Sequence, residues 1–133
     1  MTPVFLDTVG LLALWDVSDQ WHLAAESAFM PLVEEKSPLI TTAYVLLECA
    51  NSAAKKPYRS AAAELREKME KSETLVIPTG ADWEAAWSAY SRNDAGGAGV
   101  VDQVSFVVMR RLGLTRAFTN DRHFRAAGSE ILF

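Results

Sequence analysis

Short apolar runs and helical stripes alternate along the whole chain, and that alternation leaves few folds open to it. Residues 4–7, Val4-Phe5-Leu6-Asp7, read as a short buried strand, and a helix follows through residues 11–15. Asp19 is the expected N-cap of a second helix over residues 20–35, with Trp21, Ala25, Ala28, Phe29 and Leu32 at helical spacing. Residues 38–41 give a second strand, and Thr41 or Thr42 caps a helix running to about residue 54. Pro57 suits a helix start, where its missing N–H is not needed. Residues 74–77 form a third strand, and residues 81–92 a helix with Trp83, Ala86, Trp87 and Tyr90 in one stripe. Residues 93–99, with three glycines, read as a loop before a long apolar helix over 101–111 that Gly113 closes. Residues 116–119 are a fourth strand, 121–127 a short helix, and 130–133 a fifth strand. Strands separated by helices imply an α/β domain: a parallel sheet covered on both faces, with ligands bound beyond the carboxyl ends of its strands.

Four acids fall where such a sheet would gather them. Asp7 and Asp121 close apolar strands, Glu48 lies within Tyr44-Val45-Leu46-Leu47-Glu48-Cys49-Ala50, and Asp102 follows Val100-Val101. An ionised carboxylate among apolar neighbours is costly to bury without compensation. Four together repel, and a hard divalent cation such as Mg²⁺ or Mn²⁺ is the usual remedy. Each acid also has a plainer role: strand-end turn or helix cap for Asp7 and Asp121, N-terminal helix stabilisation for Asp102, a solvent-facing position for Glu48. Asp94 is a weaker candidate in the glycine-rich loop. His22 and His123 lack metal-ligand partners at usable spacing, although His123 lies close to Asp121 in sequence.

The net charge of −4 means that a nucleic acid would have to meet a local basic patch. Two clusters offer one: Lys55 and Lys56 with Arg59, and Arg110, Arg111, Arg116, Arg122 and Arg125. Solvated helix ends explain such runs equally well. The lone cysteine, Cys49, excludes an internal disulfide, fits a reducing compartment and reads as a small core hydrophobe. No basic leader precedes the first strand and no apolar run reaches membrane length, so a cytoplasmic protein without membrane contact is expected.

Taken together, Val4-Phe5-Leu6-Asp7-Thr8, the helical Glu48, Val101-Asp102-Gln103-Val104-Ser105-Phe106 and Thr119-Asn120-Asp121-Arg122-His123-Phe124 resemble a PIN domain. More closely, the chain is similar to the VapC-type toxins of bacterial toxin–antitoxin pairs. The resemblance spans essentially residues 1–133 as a single PIN-like nuclease domain. It implies a three-layer α/β/α architecture with a mostly parallel sheet of about five strands. It further implies a metal-dependent endoribonuclease whose catalytic and metal-binding residues are Asp7, Glu48, Asp102 and Asp121, with Mg²⁺ or Mn²⁺ as cofactor. Thr8 and Thr119 would be supporting hydroxyls, Thr119 beside the last acid. Val9 departs from the polar residue the family often has there, which removes one hydrogen bond around the site. RNA is the implied substrate, a cognate antitoxin the implied partner and a homodimer the implied assembly. The first two helices and the fourth would form the antitoxin groove, bringing Trp15, Trp21, Phe29 or Leu65 toward that partner. Core packing is otherwise the default for Trp15, Trp21, Trp83, Trp87 and Phe29.

In such a site Asp7, with Asp102 or Asp121, would ligate the ion directly. The longer Glu48 would act through water, orienting the nucleophile or taking its proton. Other classes fit less well. A haloacid-dehalogenase-like phosphatase wants Asp-x-Asp after the first strand, and Asp7-Thr8-Val9 lacks the second acid. A receiver domain wants a lysine on a late strand, where this chain has Arg116. An RNA-processing nuclease without an antitoxin, and an RNA-binding scaffold with vestigial acids, remain as alternatives.

Overall fold

A computed structural model describes residues 2–133. The chain runs through β1 (Val4–Leu6), α1 (Thr8–Trp15), α2 (His22–Glu34), β2 (Leu39–Thr42), α3 (Ala43–Ala53), α4 (Arg59–Lys71) and β3 (Leu75–Val76). It continues through α5 (Gly80–Ser91), the single turn α6 (Asp94–Gly97), α7 (Val100–Leu112), β4 (Arg116–Phe118), α8 (Arg122–Ala126) and β5 (Glu130–Ile131). All five strands pair in parallel, in the order β3-β2-β1-β4-β5. The helices cover both faces, giving three layers. Strand β1 is central and registers Phe5 against Ile40 of β2 on one side and Ala117 of β4 on the other. From β1 the chain steps outward to β2 and β3, then returns to lay β4 and β5 on the opposite side. The order therefore reverses between β1 and β4, and that reversal opens a crevice at the carboxyl ends of these two strands.

The central strands are apolar because both their faces are covered. Val4, Phe5 and Leu6 have no exposed surface, and Phe5, Phe118 and Phe124 are buried with Phe106 of α7. Phe106 meets Phe124 edge-on at 4.8 Å, and Phe29 of α2 meets Phe118 at 5.2 Å. A second, smaller cluster of Ala86, Val104 and Val108 joins α5 to α7. Helix α5 carries a capping box, with Thr79 accepting from the Asp82 N–H and Asp82 accepting from the Thr79 N–H.

Several local expectations are corrected. Asp19 does not cap α2. Its carboxylate accepts from the Trp21 N–H at 2.7 Å in a turn, and the helix starts at His22. Pro57 lies before α4, whose first residue is Arg59. Thr42 caps α3, whereas Thr41 donates to the Leu6 carbonyl and ties β2 to β1. The glycine-rich loop winds into α6, with Asn93, Ala95, Gly96 and Gly97 at positive φ. Trp21, Trp83 and Trp87 are 47%, 45% and 39% exposed, so core packing is wrong for these three. Helical spacing marks a face without saying whether another element covers it. Trp15 and Phe29 do pack against the core. No described helix is long and apolar enough to cross a membrane.

Candidate active site

Strand β1 ends at Leu6, and the next residue, Asp7, occupies the N-cap position of α1. Its carboxylate does not cap that helix. It turns instead toward β4, where the Thr119 hydroxyl donates to Oδ2 at 2.8 Å. Asp7 and Thr119 are both buried. The close approach of α1 to β4 requires Gly10, because a Cβ there would overlap the Phe118 carbonyl. Thr119 also accepts from the Asp121 N–H at 3.0 Å, so one hydroxyl joins the first acid to the last. Its partner is thus Asp7 as well as the expected Asp121 segment. Asp121 takes the cap position of α8, accepting from the His123 N–H at 2.9 Å.

Glu48 sits one turn into α3 and is not turned to solvent alone. Thr8 at the start of α1 donates to its Oε1 at 2.7 Å. Asp102 lies in the first turn of α7, half-buried, where the helix dipole favours its charge. The two threonines therefore fix two of the four acids, and a backbone N–H fixes a third.

The acids feel one another. Burial first, and then the Asp102 carboxylate, push Asp7 up to about 7, against the opposing pull of the Thr119 hydroxyl. Burial, then Asp121 and Glu48, raise Asp102 to about 6, with His123 working the other way. No lysine or arginine among the described residues pairs with any of the four acids. Among the described residues, no three His, Cys, Asp or Glu side chains are placed to grip a metal ion directly. The acids act on one another as charges, without closing into a finished cage. An all-oxygen donor set that raises its own pKa values matches a hard divalent cation, and Mg²⁺ keeps several waters and needs few direct protein ligands.

The segment leading to Asp102 is held by His123 and by Gln103, the second of which the sequence did not single out. Buried Gln103 donates its Nε2 to the Asp94 carbonyl at 2.8 Å, and His123 Nδ1 lies 3.0 Å from the Ala95 carbonyl. Gln103 reads as an ordinary polar helix position, because its partners come from a loop whose path is not local information. Asp94 itself is partly exposed and paired with Arg92 at 2.8 Å. His22 Nδ1 meets the Ala13 carbonyl, away from the acids. Cys49 is fully buried, and burial pushes its thiol up to about 12, which suits the core reading.

The larger basic cluster does not act as one patch. Arg111 forks onto Asp82 at 2.7 and 3.0 Å, and Arg116 lies 3.6 Å from Glu130. Arg122 and Arg125 remain on α8 with no carboxylate at ion-pair distance among the described residues. Between α1, α2 and α4 runs a cleft of about 520 Å³. Leu11, Leu14, Trp15, Phe29 and Leu65 line it, and Glu64, Glu67, Lys68 and Lys71 border it.

The sequence profile of the PIN domain matches residues 4–130. Among solved structures, the chain is similar to the sarcin–ricin-loop-cleaving toxin VapC20 of Mycobacterium tuberculosis, with 30% identity, 95% of each chain covered and a TM-score of 0.78. No curated protein sequence matches the chain.

Proposed function

The chain belongs to the PIN domain family, and from that premise we propose a metal-dependent endoribonuclease that serves as the toxin of a toxin–antitoxin pair. Residues 1–133 would form one nuclease unit working in the cytoplasm, where its RNA is. Asp7, Glu48, Asp102 and Asp121 are its acidic centre, and Thr8 and Thr119 its supports. The observation that carries this reading is buried Asp7, unpaired with any cation among the described residues and held by Thr119 at the point where the strand order reverses. A carboxylate kept there against its own charge needs a reason, and a functional site is the usual one.

Asp7, with Asp102 or Asp121, would hold the ion directly, Mg²⁺ or Mn²⁺, and the other acids would reach it through water. Such an ion, when bound, relieves charge on the phosphate and acidifies a water. The chain's own work is positional. Thr119 keeps Asp7 in one rotamer and sets the turn that presents Asp121. Thr8 aims Glu48, which orients the attacking water and accepts its proton. Gln103 and His123 hold the loop before α7, and so the position of Asp102.

The cleft between α1, α2 and α4 suits an amphipathic antitoxin segment: its floor is apolar, and its rim offers both charge signs. A second copy is the partner we assign to α5. There Trp83, Trp87 and Tyr90 form a contiguous exposed row that half-buried Tyr44 of α3 extends, with successive ring centroids 6.3, 5.8 and 5.5 Å apart. Arg92 beside the row is tied to Asp94, and Glu84 is the exposed charge between Trp83 and Trp87. Such a surface is mostly ring area and can pack on its own image, as a two-fold interface requires.

The test is cleavage of total bacterial RNA by the purified chain with Mg²⁺ or Mn²⁺, with EDTA, and as Asp102→Asn, mapping new ends by sequencing. The sarcin–ricin loop is the first target to inspect, given the activity of the similar toxin. Discrete ends that vanish in EDTA and in the variant are expected. Full cleavage by Asp102→Asn would exclude the acidic centre.

A further inference from the structure

Beside Asp121 lies a second, smaller cavity of about 230 Å³, lined by Trp21, Asn120, Arg122, Arg125, Ile131 and Phe133. It brings together the start of α2, the turn after β4 and the end of the chain. Asn120 and Arg122 flank Asp121 directly in sequence, so the turn that carries this acid also forms part of the cavity wall. Its side chains form an unusual set. Trp21 is half exposed, and its backbone is fixed by the Asp19 carboxylate. Arg122 and Arg125 are exposed and unpaired with any carboxylate among the described residues, unlike Arg111 and Arg116 of the same sequence cluster. Asn120 supplies an amide with both donors and an acceptor. Phe133 packs on Phe118 at 5.3 Å and gives the cavity an apolar wall.

These features match one ligand chemistry. An indole face stacks on any base, and guanidinium groups grip phosphate in two-pronged fashion. In a chain of net charge −4, two free arginines next to an acidic centre offset the repulsion that a polyanion would meet there. The aromatic row on α5 offers more ring area but has no free cation, since Arg92 is bound to Asp94. We propose that the cavity is a subsite for single-stranded RNA. It takes a nucleotide neighbouring the scissile phosphate, with the base against Trp21, a phosphate between Arg122 and Arg125, and the base edge at Asn120. The proposal rests on the ribonuclease reading and extends it to substrate recognition.

The experiment measures binding apart from chemistry. A labelled single-stranded RNA oligonucleotide of mixed sequence is titrated with the purified chain in EDTA by fluorescence anisotropy, across a salt series. Steady-state cleavage with Mg²⁺ or Mn²⁺ is measured in parallel. Circular dichroism checks that each variant is folded. R122Q/R125Q should weaken binding about tenfold or more and lower the log–log salt slope by roughly 0.7 to 1.4, the release expected for one or two phosphate contacts on a single strand. It should raise KM more than it lowers kcat. Trp21→Leu should weaken binding about tenfold and Trp21→Phe should restore most of it, as stacking predicts. K55Q/K56Q should leave affinity and slope unchanged.

Unaltered affinity, slope and KM in R122Q/R125Q would overturn the subsite, as would an equal loss in K55Q/K56Q, which would mean diffuse electrostatics. The two readings fail separately. Cleavage that ignores the cavity variants leaves the nuclease standing without the subsite. RNA binding through the cavity with no cleavage under any metal leaves the subsite standing without the nuclease.

Discussion

Thr119 holds two acids with one hydroxyl, donating to Asp7 and accepting from the Asp121 backbone. Thr119→Val keeps the shape and removes both bonds. Cleavage should then fall about 10- to 100-fold, the usual effect of losing an outer hydrogen bond at a metal site, with the fold retained by circular dichroism. Asp7 makes a separate prediction. Its folded pKa of about 7 lies above the ordinary 3.8. Between those values the folded chain keeps a proton that the unfolded chain gives up. Without added cation, the share of stability governed by Asp7 is therefore greatest at low pH, and it declines as pH rises from 3.8 to about 7. Asp7→Asn should flatten that decline and raise the denaturant midpoint at pH 8, measured in EDTA. A midpoint that still falls equally in the variant would place the effect elsewhere. Asp7 and Glu48 were legible in the sequence because a carboxylate among apolar neighbours is itself a signal. Gly10 was not, because the carbonyl it must avoid belongs to a strand more than a hundred residues away.

At the scale of elements, α5 shows where periodicity stops being informative. Ala86 is buried against α7 and the three aromatics stand exposed, yet one stripe contains all four. Spacing identified the helix, but the uncovered half of the stripe depends on what packs nearby. If a second copy covers it, Trp83→Ala with Trp87→Ala should shift sedimentation from dimer to monomer and leave the folded spectrum intact. Unchanged sedimentation would free that surface of the role. The contact between α1 and β4 gives another expectation. Gly10→Ala should destabilise the chain by about 1–3 kcal/mol through overpacking, read from urea unfolding. Because α1 begins at Asp7 and Thr8, the same change should also lower cleavage. Strands and helices were readable in order, whereas the starts of α2 and α4 were misjudged. Asp19 and Pro57 have strong local signatures, but turns used them before the helices began.

For the whole molecule, an ion that binds only the folded centre should raise the melting temperature with its concentration. Mn²⁺ at about 100 times its Kd would add about 2.7 kcal/mol, several degrees for a chain of this size. Asp102→Asn should abolish that gain. A Mn²⁺-independent melting temperature in the unsubstituted protein would argue against the site. The parallel sheet was legible from alternation alone. Its order was not, because nothing in a strand's own residues names its neighbour.

The placement of β1 between β2 and β4 has a consequence in time. Asp7 meets Thr119 across 112 residues of chain. A ribosome delivers Asp7, Thr8 and Glu48 early, and Thr119 only 112 residues after Asp7. Until then the central strand lacks one neighbour, Asp7 has no hydroxyl to hold it, and the acidic centre is half built. A nascent chain should in this way acquire its cutting centre only once β4 has emerged and paired with β1.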